Sequence, residues 1–192
     1  MKETLRLIIT LSLICLISGA LLAKVNDMTK DAIAAAKRAK KLDALENVLP
    51  AYDNEPDNAS CVVTNNGRAF TCYIARKDGE FAGTAIETSS SAGYGGDISL
   101  MLGINADGKT KAIYILKQTE TPGLGANIVT PKFKSNFEDK DIAKNNWSVK
   151  KDGGDVDQIT AATISSRAVT GAVKDAIDAY LANIEKIKQT GK

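Results

Sequence analysis

The spacing of apolar residues along the chain changes three times, and each change predicts a different kind of element. Residues 7–23 form one uncharged apolar run. Apolar residues then recur every three or four positions over residues 27–49, the period of an amphipathic helix, and Pro50 ends this pattern. Residues 60–117 have the pattern of strands, and the helical period returns over residues 165–187. This order predicts an α+β fold in which a C-terminal amphipathic helix flanks an antiparallel sheet.

Five strands separated by short turns are predicted in the central part of the chain. The turns are Asn66-Gly67, Asp78-Gly79 and Asp107-Gly108, and each dipeptide favours a tight type I′ hairpin. Successive hairpins produce an antiparallel meander. The predicted strands cover residues 61–64, 68–76, 80–88, 97–106 and 109–117.

The first predicted hairpin places two of the three cysteines opposite each other. If Asn66 and Gly67 are the loop residues, Cys61 and Cys72 face each other, because each lies five residues from the nearer loop residue. Directly opposed residues in antiparallel strands have Cα atoms about 4.5–5.5 Å apart, a separation that permits a disulfide. We therefore predict a Cys61–Cys72 disulfide. The alternative is a pair of small buried thiols.

The first apolar run is a candidate membrane span. Residues 7–23 comprise 17 positions, and a transmembrane helix needs about 17–25 residues. Lys2 and Arg6 precede the run, so the positive-inside rule places the N-terminus in the cytoplasm. Ser18-Gly19-Ala20 offers the small residues of a signal-peptidase site, which leaves a cleaved signal peptide as the alternative. Both interpretations export the remainder of the chain.

Four segments follow from this interpretation, in a protein that crosses the inner membrane once. We expect the main domain to lie on the periplasmic side. The segments are a cytoplasmic N-terminus (residues 1–6), a transmembrane helix (7–23), a juxtamembrane helix (24–50) and an extracytoplasmic domain (51–192).

Composition narrows the chemistry that this domain can perform. The chain has three cysteines and no histidine. Without imidazole it lacks a Ser-His or Cys-His dyad and any His-ligated zinc or haem, and three thiolates are too few for an ordinary iron–sulfur cluster. The net charge is +2 and the two signs are interspersed. We expect no metal site and no nucleic-acid partner.

Hydroxyl-bearing residues mark the start of the C-terminal helix. They are concentrated in residues 160–166, and Thr163 or Ser165 is the predicted N-cap. On its own, such a run is a helix-capping signal.

Two motifs give this run a further meaning. Asp157-Gln158-Ile159-Thr160-Ala161-Ala162-Thr163 resembles the flavinylation motif, roughly Asp-x-x-Ser/Thr-Gly-Ala-Thr, of the FMN-binding subunits of the Rnf (Rsx) and Nqr electron-transport complexes. The final Thr of that motif carries FMN through a phosphoester bond. Glu120 to Gly125 (ETPGLG) is similar to a second motif of the family, and Tyr94-Gly95-Gly96 resembles the start of its flavin domain. The resemblance implies FMN bound covalently to Thr163 and an FMN-binding region over residues 93–181.

The resemblance also implies a role for each part of the site. The start of the C-terminal helix would bind the flavin phosphate, Leu124 would pack on the ring, and Glu120 would accept a proton or fix its loop. Ala161 stands where the family has Gly, a substitution that is unfavourable if the position needs a positive φ. The implied cofactor-binding residues are Tyr94, Thr119, Glu120, Thr121, Gly123, Leu124, Gly125, Asp157, Thr160, Ala161, Ala162, Thr163, Ser165 and Ser166.

The length of the chain favours the G subunits of Rnf complexes over the C subunits of Nqr complexes. The resemblance then implies a membrane-anchored electron carrier, without turnover of its own, in an Rnf-type ferredoxin:NAD⁺ oxidoreductase that moves Na⁺ or H⁺. Implied partners are the other membrane and peripheral subunits, membrane lipid, and a flavin transferase that uses FAD and Mg²⁺. The alternatives are the C subunit of an Nqr-type quinone reductase and an exported non-redox adaptor with a degenerate FMN motif.

Overall fold

The computed structural model describes residues 2–190 and contains two compact units, Met1–Lys40 and Lys41–Lys192. Helix α1 (Lys2–Val48) begins in the first unit and ends in the second. It continues without a break across residues 23 and 24, where the sequence predicted the boundary between two helices. In the first unit its side chains are exposed, and the helix is long and apolar enough to cross a membrane.

The second unit contains a five-stranded sheet in the order β1-β2-β3-β4-β5, and every neighbouring pair is antiparallel. This is the predicted meander, because each strand pairs with the one that follows it in sequence. The strands are β1 (Ser60–Asn65), β2 (Arg68–Lys77), β3 (Glu80–Ser90), β4 (Ile98–Asn105) and β5 (Thr110–Lys117).

Two of the three predicted type I′ turns are present. Both residues of Asn66-Gly67 and of Asp78-Gly79 have positive φ, as that turn requires. The prediction was wrong for the third turn, where Gly108 has a φ of 79° but Asp107 is not among the residues with positive φ. The Gly108 N–H donates to the Asn105 carbonyl (3.1 Å), so the central turn residues are 106 and 107 and Gly108 forms a bulge.

The two faces of the sheet are covered by different helices. Helix α3 (Thr163–Gln189) packs on one face, and its buried residues join those of the strands in the main apolar core. The last turns of α1 pack on the other face through Ala44, Leu45 and Val48. A β-carbon at Gly103 in β4 would collide with the Val48 carbonyl, so the end of the helix lies directly on the strand backbone.

The connection between β5 and α3 is irregular but anchored by aromatic side chains. Phe137 makes an edge contact with Phe133 (5.5 Å between ring centroids) and stacks on Trp147 (6.3 Å). All three rings are buried. The connection contains α2 (Pro131–Lys134) and 3-10 helices at Gly125–Val129, Ser135–Phe137 and Lys150–Asp152.

The predicted pairing of the cysteines is present. Cys61 lies directly opposite Cys72 in the β1–β2 register. Both are thiols in the structure. Burial, followed by the influence of Cys61, raises the pKa of Cys72 to about 12. The disulfide itself stays a prediction.

Candidate functional site

Three loop segments surround a cleft of about 500 Å³ in the second unit. Residues 91–97 lead into β4 and residues 118–124 leave β5, and these loops share one end of the sheet because Ser99 pairs with Lys117. The start of α3 provides the third segment. The residues that line the cleft are Tyr94, Glu120, Thr121, Leu124, Gly125, Ala161, Ala162, Thr163, Ile164 and Ser165.

Glu120 connects the three segments through its carboxylate. Oε1 accepts a hydrogen bond from the Gly95 backbone N–H (3.0 Å), and Oε2 accepts one from the Ser165 hydroxyl (2.6 Å). Glu120 is 5% exposed and Ser165 is 1% exposed. Among residues 2–190, Glu120 is the only buried carboxylate. These hydrogen bonds hold the loop after β5 against the start of α3.

Glycines allow the backbones around this carboxylate to approach closely. A β-carbon on Gly125 would collide with Glu120 Oε2 and Ser165 Oγ, and one on Gly95 would collide with the Thr119 carbonyl. Gly123 has a different role, since it has open space around it but a φ of 76°. Gly125 therefore allows the loop to pack against the carboxylate, whereas Gly123 supplies a turn.

Helix α3 begins at Thr163, with Ala162 as the N-cap residue and no side-chain cap. The prediction that Thr163 or Ser165 is the N-cap was wrong, because the Ser165 hydroxyl instead bonds to Glu120. The first intrahelical bond runs from the Ser166 N–H to the Ala162 carbonyl (3.1 Å). Within residues 2–190 the N–H groups of residues 163–165 have no acceptor. Unpaired N–H groups at the positive end of a helix dipole attract anions.

The residue before the cap adopts a left-handed conformation. Ala161 has a φ of 62°, so this position does require the positive φ that glycine adopts freely. An alanine in this region costs about 1 kcal/mol relative to glycine. The structure therefore accommodates alanine at this position, at a small energetic cost.

Thr163 lies half-buried in the wall of the cleft. Its hydroxyl has no hydrogen-bond partner within the described range 2–190. Nearby hydroxyls differ in this respect, because Ser165 donates to Glu120 and Ser166 donates to the Ala162 carbonyl (3.0 Å). Thr163 is thus the hydroxyl at the start of α3 that lines the cleft without a hydrogen-bond partner among residues 2–190.

Nine of the fourteen residues predicted to bind a cofactor line the cleft. Thr119 donates to the Gly95 carbonyl (2.7 Å), and the Ser166 hydroxyl accepts from the Ile159 N–H (3.0 Å). Asp157 pairs with Lys150 at the surface (2.8 Å). These residues shape the loops around the cleft. The predicted residues that do not line it are Thr119, Gly123, Asp157, Thr160 and Ser166.

Ile164 lines the cleft but was not predicted from the sequence. It is 47% exposed, Tyr94 is 72% exposed and Leu124 is 43% exposed. An apolar residue between two hydroxyl residues gives no functional signal in a sequence. Its position in the first turn of α3 places it beside the cleft, where these three side chains form an apolar rim.

The lining residues include no Lys or Arg. Arg167, in the first turns of α3, points instead to Asp152, to which it donates two hydrogen bonds of 2.7 Å. This interaction lowers the pKa of the Asp152 carboxyl. Among residues 2–190 no cluster of His, Cys, Asp and Glu could hold a metal ion. The cleft therefore has one charged side chain, Glu120, and unpaired backbone N–H groups.

Comparisons with known proteins agree with this geometry. Residues 93–178 match the family described as the FMN-binding domain, and residues 1–48 match the RnfG N-terminal region. The fold resembles the crystal structure of Shewanella oneidensis NqrC, with a TM-score of 0.50 and 15% identity over 71% of this chain and 75% of that one. At this identity the likeness concerns the fold alone.

Curated relatives cover most of the chain. It is 37% identical to the G subunit of the ion-translocating oxidoreductase complex of Photorhabdus laumondii, over 86% of this chain and 85% of that protein. The protein of the same name from Shewanella amazonensis is 39% identical over 85% and 81%. That of Aliivibrio fischeri strain ES114 is 34% identical over 94% and 91%. The chain therefore belongs to the RnfG family, the G subunits of Rnf-type ion-translocating oxidoreductase complexes, and contains an FMN-binding domain.

Proposed function

We propose that this protein is a membrane-anchored electron carrier of an Rnf-type complex and that it holds FMN through a phosphoester bond to Thr163. The observation that carries the proposal is the position of Thr163, whose unpaired hydroxyl lies in the cleft of the FMN-binding domain at the start of α3. FMN supplies one- and two-electron chemistry when it is bound. The residues of the chain would hold, orient and tune it.

The start of α3 is suited to the phosphate. A phosphodiester on Thr163 carries one negative charge, and the unpaired N–H groups of residues 163–165 with the helix dipole would stabilise it. Because no Lys or Arg lines the cleft, these N–H groups are its main source of positive potential. Helix α3 is regular from Thr163 up to Asn183, whose backbone is non-helical, so the first turn lies at the positive end of a long helix.

The rim of the cleft is suited to the ring system. Tyr94, Leu124 and Ile164 present exposed apolar surface that a flat, largely apolar ring would cover. The cleft volume of about 500 Å³ lies in the range of small-molecule sites. We infer that the ring lies between these side chains and the loop at residues 120–125.

Attachment would require a separate flavin transferase that uses FAD and Mg²⁺. The bond between Thr163 Oγ and the FMN phosphorus would form as the pyrophosphate bond of FAD breaks, with AMP leaving and the hydroxyl proton released. A covalent tether suits an exported flavoprotein, because a dissociating cofactor would be lost outside the cell membrane.

The proposal also fixes the orientation of the chain. Residues 1–6 would be cytoplasmic, residues 7–23 of α1 would cross the inner membrane, and the FMN domain would lie on the periplasmic side, because Lys2 and Arg6 precede the apolar run. Its partners would be the other subunits of the complex, and lipid would surround the exposed apolar part of α1. The complex would transfer electrons from reduced ferredoxin to NAD⁺ and move Na⁺ or H⁺ across the membrane.

The test is co-expression of the full-length chain with its flavin transferase, followed by denaturing electrophoresis and detection of in-gel flavin fluorescence. We expect a fluorescent band for the wild type and none for Thr163→Ala. The matched control is Thr64→Ala, which removes an exposed threonine hydroxyl in β1, outside the cleft and outside both motifs, and should leave the fluorescence unchanged. A wild-type band without fluorescence would contradict the proposed function, and fluorescence that persists in Thr163→Ala would move the attachment to another residue.

A further inference from the structure

Glu120 occupies an unusual place among the acidic side chains. It lines the cleft yet is only 5% exposed, and it is the one charged residue among the ten that form the cleft wall. Across residues 2–190 no ion pair of Glu120 is found, although surface carboxylates in the same unit pair with Lys or Arg. A buried carboxylate without a counter-charge must be stabilised by hydrogen bonds.

Those hydrogen bonds come from neutral groups. Oε1 accepts from the Gly95 N–H and Oε2 accepts from the Ser165 hydroxyl. Each oxygen accepts one hydrogen bond, an arrangement that suits an ionised carboxylate. The charge is therefore solvated by dipoles but is not cancelled, and it acts on whatever occupies the cleft. Water screens it little at this depth.

The glycines around Glu120 let backbone pack against the carboxylate, and the hydrogen bonds to Gly95 and Ser165 hold it in position. A β-carbon on Gly93 or Gly125 would meet Glu120 Oε1 or Oε2 respectively. Neither oxygen can therefore turn away without losing its donor and its packing. A charge held this rigidly exerts a constant electrostatic effect on a bound group.

We propose that the fixed negative charge of Glu120 lowers the reduction potential of the flavin in this cleft. The inference rests on the proposed function, because it needs a flavin bound there. Addition of an electron beside a buried negative charge is disfavoured by Coulomb repulsion, so the oxidised flavin is stabilised relative to the reduced one. The sequence motif around Glu120 would thus serve both to shape the loop and to tune the cofactor.

Glu120→Gln separates these two roles. Glutamine has the same shape, can accept from Gly95 through its carbonyl oxygen and can donate to Ser165 Oγ through its amide, so the loop should keep its fold. Only the charge is lost. We expect the two-electron reduction equilibrium of the loaded protein to shift towards the reduced form by roughly tenfold, which is a rise of about 30 mV.

The experiment is a redox titration of the flavinylated full-length protein in detergent, monitored by flavin absorbance. The matched control is Glu185→Gln, which removes the same charge from an exposed position near the C-terminal end of α3, 20 residues beyond Ser165 and outside the cleft. We expect the potential of the control to equal that of the wild type. Glu120→Asp, which keeps the charge, should stay closer to the wild type than Glu120→Gln does.

An unchanged potential in flavinylated Glu120→Gln would overturn the inference and leave the proposed function intact. Absence of flavin from the wild type would instead refute the proposed function. If Glu120→Gln does not accumulate as a folded protein, the same titration compares Ala161→Gly/Glu120→Gln with Ala161→Gly, since the glycine relieves the positive φ at residue 161 and is present in both. Failure of both variants to fold, checked by thermal unfolding before flavin loading, would make Glu120 a purely structural residue.

Discussion

The Ser165 hydroxyl donates a 2.6 Å hydrogen bond to Glu120 Oε2 in the buried interior of the second unit. Glu120 lies in the loop after β5 and Ser165 lies in the first turn of α3, 45 residues later. This bond joins the first motif to the helix turn that directly follows the second, and residues of both motifs line the cleft. The motifs are therefore parts of one site, in which one supplies the loop and the other supplies the helix terminus.

Ser165→Ala should destabilise the protein by about 2 kcal/mol, because it deprives a buried charged acceptor of its donor. The measurement is chemical denaturation of the full-length chain in detergent, monitored by tryptophan fluorescence from Trp147. Ser135→Ala is the matched control, since the Ser135 hydroxyl is exposed and donates only to the Lys132 carbonyl (2.9 Å). Equal losses of stability in the two variants would show that the buried hydrogen bond contributes no more to stability than the exposed one.

Gly125→Ala and Gly171→Ala should change stability in opposite directions. A methyl group at residue 125 must displace Glu120 Oε2 and Ser165 Oγ, and overpacking of this kind costs roughly 1–3 kcal/mol. At residue 171, within α3, a methyl group meets open space and improves helix propensity by about 1 kcal/mol. Thermal unfolding of both variants checks the prediction, and stabilisation by Gly125→Ala would show that the loop is not packed against the carboxylate.

Features encoded by neighbouring residues could be predicted from the sequence. The turn dipeptides Asn66-Gly67 and Asp78-Gly79 set the first two hairpins and the register of the cysteines, because a two-residue loop permits one pairing. The third hairpin was misassigned because a type I turn followed by a bulge also ends in glycine, here Gly108. Composition does not distinguish these two turns.

Features that depend on distant contacts could not be predicted in the same way. Ser165 looked like an N-cap because it is a hydroxyl residue near a helix start, but its hydroxyl bonds to a residue from another segment. Ile164 gave no signal, since only the helix start places it in the cleft wall. The positive φ of Ala161 was recognised as a possibility only through the family resemblance.

Ala161→Gly should stabilise the protein by about 1 kcal/mol, because glycine adopts a φ of 62° without the steric cost that alanine bears. Urea denaturation of the wild type and of Ala161→Gly measures the effect. A loss of stability in Ala161→Gly would indicate that the left-handed conformation is not maintained in solution.

Cys61 and Cys72 face each other on β1 and β2 and should form a disulfide. The Ile74 N–H donates to the Ala59 carbonyl (2.8 Å), so these two facing residues form a hydrogen-bonded pair. Hydrogen-bonded pairs recur every second residue in antiparallel strands, so Cys61 and Cys72 form the next one, with Cα atoms about 5.5 Å apart. This separation permits a disulfide. Cys72 is fully buried and its pKa is raised to about 12, so it is a poor thiolate, and oxidation should begin at the partly exposed Cys61.

Oxidation would remove two electrons and two protons from the thiols, and a disulfide oxidant of the extracytoplasmic compartment would take them up. Closing this short loop should stabilise the oxidised protein by about 3 kcal/mol relative to the reduced one. Mass spectrometry of the Cys15→Ser variant, alkylated after denaturation without reductant, measures the state of the pair. We expect no alkylation and a mass two hydrogens below that of the dithiol, whereas two alkylated thiols in protein isolated from the membrane would mean that the pair remains reduced. Cys61→Ser should then leave Cys72 as the one thiol that alkylation detects in the same background, which places the bond between these two strands.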